Sequence, residues 1–180
     1  MNTVMETITS RRSIRRFRQD TVPEEALSDI LQAVYWAPSW ANTQCWEIVV
    51  VRDLTVKEKL QAVLFPKNPA SLAMVSAPVV LVVCGQENRS GFYNGESITR
   101  FGDWMLYDLG LATQNILLAA ASHQLGTVVV GAFDHEQAGT ILTLPEGVSA
   151  VTLIPVGYPD HEPGPPRRRS LDDFVHYNTF

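Results

Sequence analysis

Hydrophobic positions along the chain follow two different periods. From Pro23 to Ala37, residues Ala26, Leu27, Ile30, Leu31 and Val34 recur at helical spacing, and Thr21 with Glu24 has the spacing of a capping box. A helix is predicted there, ending before Pro38. A shorter helix is predicted over Thr3 to Ser10. Two apolar runs rich in β-branched residues, Ile48 to Val51 and Val79 to Val83, have the length and composition of buried strands. Between them, Thr55 to Val63 and Pro69 to Val75 can form short helices. The longest helix is predicted from Thr99 to Gln124, with Gly126 as its C-terminal stop. It is apolar over much of its circumference, so it is expected to be buried on several sides, deep in the domain or between two subunits. A strand over Thr127 to Val130 follows, then a helix opened by Asp134 with Gln137 as capping partner, and a strand over Ala150 to Val156. Strands and helices interleave without regular βαβ alternation, which predicts an α+β or mixed-sheet layer fold rather than a doubly wound one.

With 180 residues, 46% of them hydrophobic and 18% charged, the chain is long enough for a substantial core, and residues 1–180 are read as a single domain. The Pro/Gly-rich stretch Gly157 to Pro166 is extended and stiff, and residues 157–180 are read as a C-terminal arm. No apolar run is long enough to span a bilayer, and Met1 to Glu6 lacks the layout of a signal peptide, so the expectation is a cytoplasmic protein without a membrane partner. Cys45 and Cys84 lie far apart and outside any zinc spacing, and the four histidines are scattered, so neither a disulfide nor a metal site is expected. A net charge of −5 argues against nucleic acid as a partner.

The distribution of positive charge is more informative than its sum. Arg11, Arg12, Arg15, Arg16 and Arg18 cluster near one end of the chain, and Arg167, Arg168 and Arg169 near the other. Every member is arginine, the side chain suited to planar, bidentate recognition of phosphate. Taken alone, the clusters also fit surface stripes answered by Asp20, Glu24, Asp172 and Asp173. There is no GxGxxG after a strand, no GxxxxGK[ST] and no GxSxG elbow, so neither a glycine cradle for pyrophosphate nor a hydrolase serine is indicated.

The first cluster reads RRSIRRF, in which arginines and a hydroxyl alternate with Ile14 and Phe17 as core anchors. The predicted helix before Pro38 is followed by PSWANTQCW, a turn that holds a hydroxyl and two carboxamides before a strand. Carboxamides both donate and accept, as the edge of a flavin pyrimidine ring requires, although on its own the segment reads more simply as an ordinary helix-to-strand loop. Together the two segments resemble the RRSxRxF and PSxxNxQ motifs of the nitroreductase family of flavoproteins. The resemblance continues through APVVLVV, Asp108 to Ala121, Gly131-Ala132-Phe133, Leu144-Pro145-Glu146-Gly147, Gly157-Tyr158-Pro159 and the arginine-rich tail.

That resemblance implies an α+β fold with a mixed sheet flanked by helices, an intertwined homodimer with an extended C-terminal arm, and an FMN site built from both subunits. It implies that Arg11, Arg12, Ser13 and Arg15 contact the phosphate, ribityl chain and pyrimidine edge, and that Arg167 and Arg169 complete the phosphate site. Pro38, Ser39 and Asn42 would come from the partner chain, Asn68 would contact the flavin ring, and Gly131 would bring its backbone N–H towards flavin N5. The implied activity is hydride transfer from NADH or NADPH, as co-substrate, to a small electron-poor acceptor such as a nitroaromatic or quinone by a ping-pong mechanism. No catalytic side chain is required, because the cofactor carries the chemistry. Trp40 and Cys45 stand where the family often has a small polar residue and proline, and Val130 stands where an acid often precedes the glycine. Residues 86–100 read as a substrate lid or a plain surface loop. The alternatives are a specialised relative, such as a reductive dehalogenase or flavin-consuming enzyme, and a non-catalytic flavin-binding module.

Overall fold

The computed structural model describes residues 3–180; Met1 and Asn2, which open the segment read as having no leader, lie outside the described residues. In chain order its elements are α1 (Thr3–Ser10), α2 (Glu24–Tyr35), β1 (Trp46–Val51), α3 (Leu54–Ala62), α4 (Ser71–Ser76) and β2 (Val79–Gln86). A hairpin of β3 (Phe92–Tyr93) and β4 (Glu96–Ser97) follows, then α5 (Met105–Ser122), β5 (Gly126–Thr127), α6 (His135–Ile141) and β6 (Val148–Gly157).

The main sheet has the order β1-β2-β6-β5, and every ladder in it is antiparallel. The α+β class therefore stands, while among the described residues the parallel pairing expected of a mixed sheet is confined to one isolated bridge, Ser13 to Thr127. Strand direction is not written in an apolar run, which reads alike in either sense. Along β2 the side chains alternate between two cores. Val79, Leu81 and Val83 pack with Leu27, Ile30 and Val34 of α2 and Leu109, Ala112 and Ile116 of α5. Val80, Val82 and Cys84 pack on the other face with Leu60, Met74 and Phe133. Both faces are covered, which is why the strand is apolar from Val79 to Cys84.

Three helix ends differ from the sequence expectation. The N-cap of α2 is Pro23, with no side-chain cap, so the Thr21/Glu24 capping box does not form. Proline fixes φ and needs no donor at that position, so the helix starts without one. The helix α5 starts at Met105 rather than near Thr99, because Gly102 turns the chain at φ +69. Its C-terminal reversal is made by Gln124 at φ +60, not by Gly126.

Gly126 serves close approach instead. A Cβ there would lie 2.6–2.9 Å from three side-chain atoms of Ile14, a β-branched residue that cannot swing away. Gly126→Ala is expected to destabilise the fold by about 1–3 kcal/mol, read as a lowered midpoint in urea. The crowding exists because the N-terminal segment is laced onto the sheet. Ile14 N donates to Thr127 O at 2.9 Å, Arg18 N to Tyr158 O at 2.9 Å, and Asp160 N to Arg16 O at 3.0 Å, with Ile14 and Phe17 buried beneath. The chain therefore leaves β6 towards its C-terminus alongside the N-terminal arginines.

Candidate functional site

This lacing determines where the arginines go. Arg11, Arg12, Ser13 and Arg15 line a cleft of about 200 Å³ together with Pro163, Gly164, Pro166 and Arg168. No acid is among its lining residues. Arg12 Nη1 donates to the carbonyls of Thr9 and Arg11, both at 2.8 Å, which braces one guanidinium. Arg18 is directed elsewhere: its Nε lies 2.8 Å from Asp20, and its guanidinium stands 5.1 Å over the Tyr158 ring. Within one chain Arg168 is the member of the second cluster that reaches the cleft. Arg167 is exposed, and Arg169 hydrogen-bonds the Asp173 carbonyl and lies 5.7 Å from the Phe174 ring. The order of three consecutive arginines carries no signal for which one faces inward, since the path of the proline-rich stretch before them decides it. A phosphate monoester needs several charge-assisted donors, and guanidinium groups with a serine hydroxyl and no competing carboxylate are such a set. The residues present fit the phosphate of FMN.

A second cavity, of about 330 Å³, is lined by Pro38, Ser39 and Trp40 with Trp104, Tyr107, Asp108 and Leu111. Within a single chain it is not the arginine cleft. The loop that walls it is conformationally strained, with Ala41, Asn42 and Gln44 at φ 45, 56 and 49. Asparagine tolerates this region, whereas alanine costs roughly 1–2 kcal/mol there. Local hydrogen bonds hold the shape: Gln44 N donates to Ser39 Oγ at 2.9 Å, and Gln44 Nε2 to Asn42 Oδ1 at 3.1 Å. Trp40 N donates to both carboxylate oxygens of Asp108, at 3.0 and 3.1 Å. Sequence reasoning did not single out Asp108, although an acid within the apolar pattern of α5 was a visible signal.

Asn68 and Gly131 lie on either side of Ala132, in neither of these two cavities. Asn68 Nδ2 donates to Ala132 O at 3.2 Å, and Asn68 Oδ1 accepts from Ala70 N at 2.9 Å. A Cβ on the exposed Gly131 would meet nothing within 4 Å, so a ligand has room to approach its backbone. Val130 is buried and bridged to Leu153, so its side chain belongs to the core.

Residues 86–100 contain the hairpin, turned by Asn94 and Gly95 at φ 51 and 81, the preferred two-residue turn and a signal the sequence reading passed over. Its base is pinned: Asn88 N donates to Asp103 Oδ2 at 2.7 Å, Trp104 N to Ser90 O at 3.0 Å, and Ser90 Oγ to Asp108 at 2.6 Å. Its tip, with Tyr93 and Glu96 to Ile98, is exposed.

Both cysteines are fully buried and free. Burial, followed by the charge of Asp108, raises Cys45 from 9.0 to about 11; burial, then Glu47, raises Cys84 from 9.0 to about 12. The folded state thus holds its thiol protons more tightly than the unfolded state. Their contribution to stability is full below about pH 9 and declines as pH rises through 11 to 12. Native protein at pH 8 is expected to leave both thiols unreactive towards Ellman's reagent, with both released in denaturant. Among the described residues, no cluster of His, Cys, Asp and Glu could hold a metal ion, and no helix is long and apolar enough to cross a membrane.

A model of the Nitroreductase family matches residues 8–74 and 66–158. The chain is 32% identical to the NADH dehydrogenase of Thermus thermophilus over 202 residues, covering 92% of this chain and 91% of the relative. It is 29% identical to the FMN reductase [NAD(P)H] of Bacillus subtilis over 191 residues, covering 100% and 75%. Among solved structures it resembles nitroreductase A of Vibrio parahaemolyticus, with a TM-score of 0.85, 33% identity, and coverage of 100% of this chain and 77% of that one.

Proposed function

Since the chain belongs to the nitroreductase family, we propose that it reduces a small electron-poor acceptor, nitroaromatic or quinone in type, as a homodimer with two composite sites. It is an NAD(P)H-dependent oxidoreductase with FMN as its cofactor. The observation that carries the finer reading is the cleft in which Arg11, Arg12, Ser13 and Arg15 of the N-terminal segment meet Arg168 of the C-terminal arm.

In this reading the guanidinium groups hold the FMN phosphate and set a positive field at the adjoining pyrimidine edge. Arg167 and Arg169 complete the phosphate site once the arm, residues 157–180, is seated on a partner. Gly131 presents its open backbone to the flavin, and Asn68, fixed against Ala132, contacts the ring. Pro38, Ser39 and Asn42 reach the flavin from the partner chain, in keeping with Pro38 and Ser39 lining, within one chain, a cavity separate from the arginines. The chemistry supplied by bound FMN is two-electron transfer at N5, taken from NADH or NADPH in one half-reaction and delivered to the acceptor in the next. Trp104 and Tyr107, packed edge-on at 5.3 Å, share the cavity wall with the loop. Dimerisation is supported by the apolar residues left uncovered: Leu106 and Tyr107 on α5, and Leu171, Phe174 and Tyr177 on the arm.

The test is spectroscopic. The purified protein is expected to carry a flavin absorbance that bleaches anaerobically on adding NADH or NADPH and returns on adding a nitroaromatic or quinone. A flavin that stays oxidised with both nucleotides would favour a non-catalytic binding module. An acceptor profile restricted to halogenated phenols would favour a specialised relative.

A further inference from the structure

The carboxyl group of Asp108 is fully buried, and in each contact it accepts. Its partners are Trp40 N, Ser90 Oγ at 2.6 Å and Cys45 Sγ at 3.7 Å. No Lys, Arg or His is among these partners. A buried acid held by neutral donors from three separate segments is a costly arrangement that an apolar residue would avoid, so it calls for a role. The donors identify that role. Trp40 opens the turn whose next two residues, Ala41 and Asn42, are left-handed, and Ser90 anchors the base of the hairpin. The other local bonds of the loop run between its own residues, whereas Asp108 ties it to the long helix.

We propose that Asp108 is a positioning residue: its buried carboxylate fixes the Pro38–Asn42 loop in the strained shape in which that loop meets the flavin of the opposite subunit, and pins the β3–β4 hairpin beside it. The proposal rests on the composite-site reading above. Asp108 touches no reacting atom and acts on the neighbouring site through Trp40. Damage to Asp108 in one chain therefore appears in the site whose arginines belong to the other.

The test uses full-length chains with two different affinity tags, one carrying Arg11→Ala and the other Asp108→Ala, co-expressed and purified through both tags. In such mixed dimers one site carries both lesions and the other carries neither. FMN titration is expected to show one site per dimer of wild-type affinity, whereas each mutant homodimer binds FMN about tenfold or more weakly. Asp108→Asn keeps an acceptor for Trp40 N–H and is expected to bind FMN within about threefold of wild type. A mixed dimer with no wild-type-like site overturns the proposal, and so does an Asp108→Ala homodimer of unchanged affinity. A loss that arose from general destabilisation would not be repaired by pairing with another damaged chain. Arg11→Ala with unchanged FMN affinity would instead take Arg11 out of the phosphate site, and comparison of the two Asp108 homodimers would still decide the role of the buried acid. Should Asp108→Ala fail to fold, Trp40→Pro removes the donor and leaves the acid, with Trp40→Ala as control for the lost indole. Ser39 already has the extended ψ of 160° that a following proline requires. Equal FMN affinity in those two variants overturns the proposal as well.

Discussion

Replacing Arg11 and Arg168 together by alanine is expected to give a folded protein that loses its flavin on a desalting column. Each guanidinium that hydrogen-bonds a phosphate contributes about 1.5–3 kcal/mol, so Arg11→Ala alone should weaken FMN binding by roughly 10- to 150-fold. The two side chains share one cleft, so the double variant should fall short of the simple sum. Stability without flavin should change little, because both residues lie at the surface of the cleft and neither belongs to the buried core. Arg169→Ala compared with Arg168→Ala adds a geometric result. In the isolated chain Arg168 lines the cleft, while Arg169 is engaged with the Asp173 carbonyl and the Phe174 ring. If the arm reseats on a partner, Arg169→Ala should also weaken binding by about 1.5–3 kcal/mol. If the arm keeps its present path, only Arg168→Ala should. Unchanged FMN affinity in Arg11→Ala and in both arm variants would refute the phosphate site.

Much of the architecture was legible in the sequence because burial imposes periodicity. The helical faces of α2 and α5, the doubly covered run of β2 and the Asp134–Gln137 cap all correspond to elements of the fold. What the pattern could not carry was direction and reach. The apolar runs gave no sign that β1, β2 and β6 are antiparallel neighbours, and Gly126 looked like a helix stop when its missing Cβ makes room for Ile14. Of the candidate site, the arginine clusters could be singled out because their residue type alone suggests phosphate. Asp108 was not, because its meaning lies in partners 18, 63 and 68 residues away, brought together only by the packing of α5. The three consecutive arginines of the arm were likewise readable as a group and not one by one.

Phe17→Ala is expected to cost about 3–5 kcal/mol of stability, because an aromatic side chain leaves a large cavity, and to weaken FMN binding as well. Phe17 is 5% exposed, is bridged to Pro159, and would stand 3.2 Å from a Cβ on Gly157. It therefore fastens the arginine-bearing segment to the exit of β6, where the arm begins. A core residue without that duty provides the control: Ile30, fully buried between α2 and the sheet, should lose about 2–5 kcal/mol as alanine. The two substitutions separate when FMN is added. A ligand that binds only the folded state stabilises it by RT ln(1 + [L]/Kd), about 2.7 kcal/mol at a hundred times Kd. Ile30→Ala should keep that increment in full, because its arginines stay in register on Thr127 and Tyr158. Phe17→Ala should keep only a fraction at the same FMN concentration, since slack in the segment raises Kd. Melting temperatures of both variants with and without FMN measure the difference. An equal increment in the two would mean that Phe17 fills space without holding the phosphate donors in place, and that backbone lacing from Ile14 to Asp160 suffices.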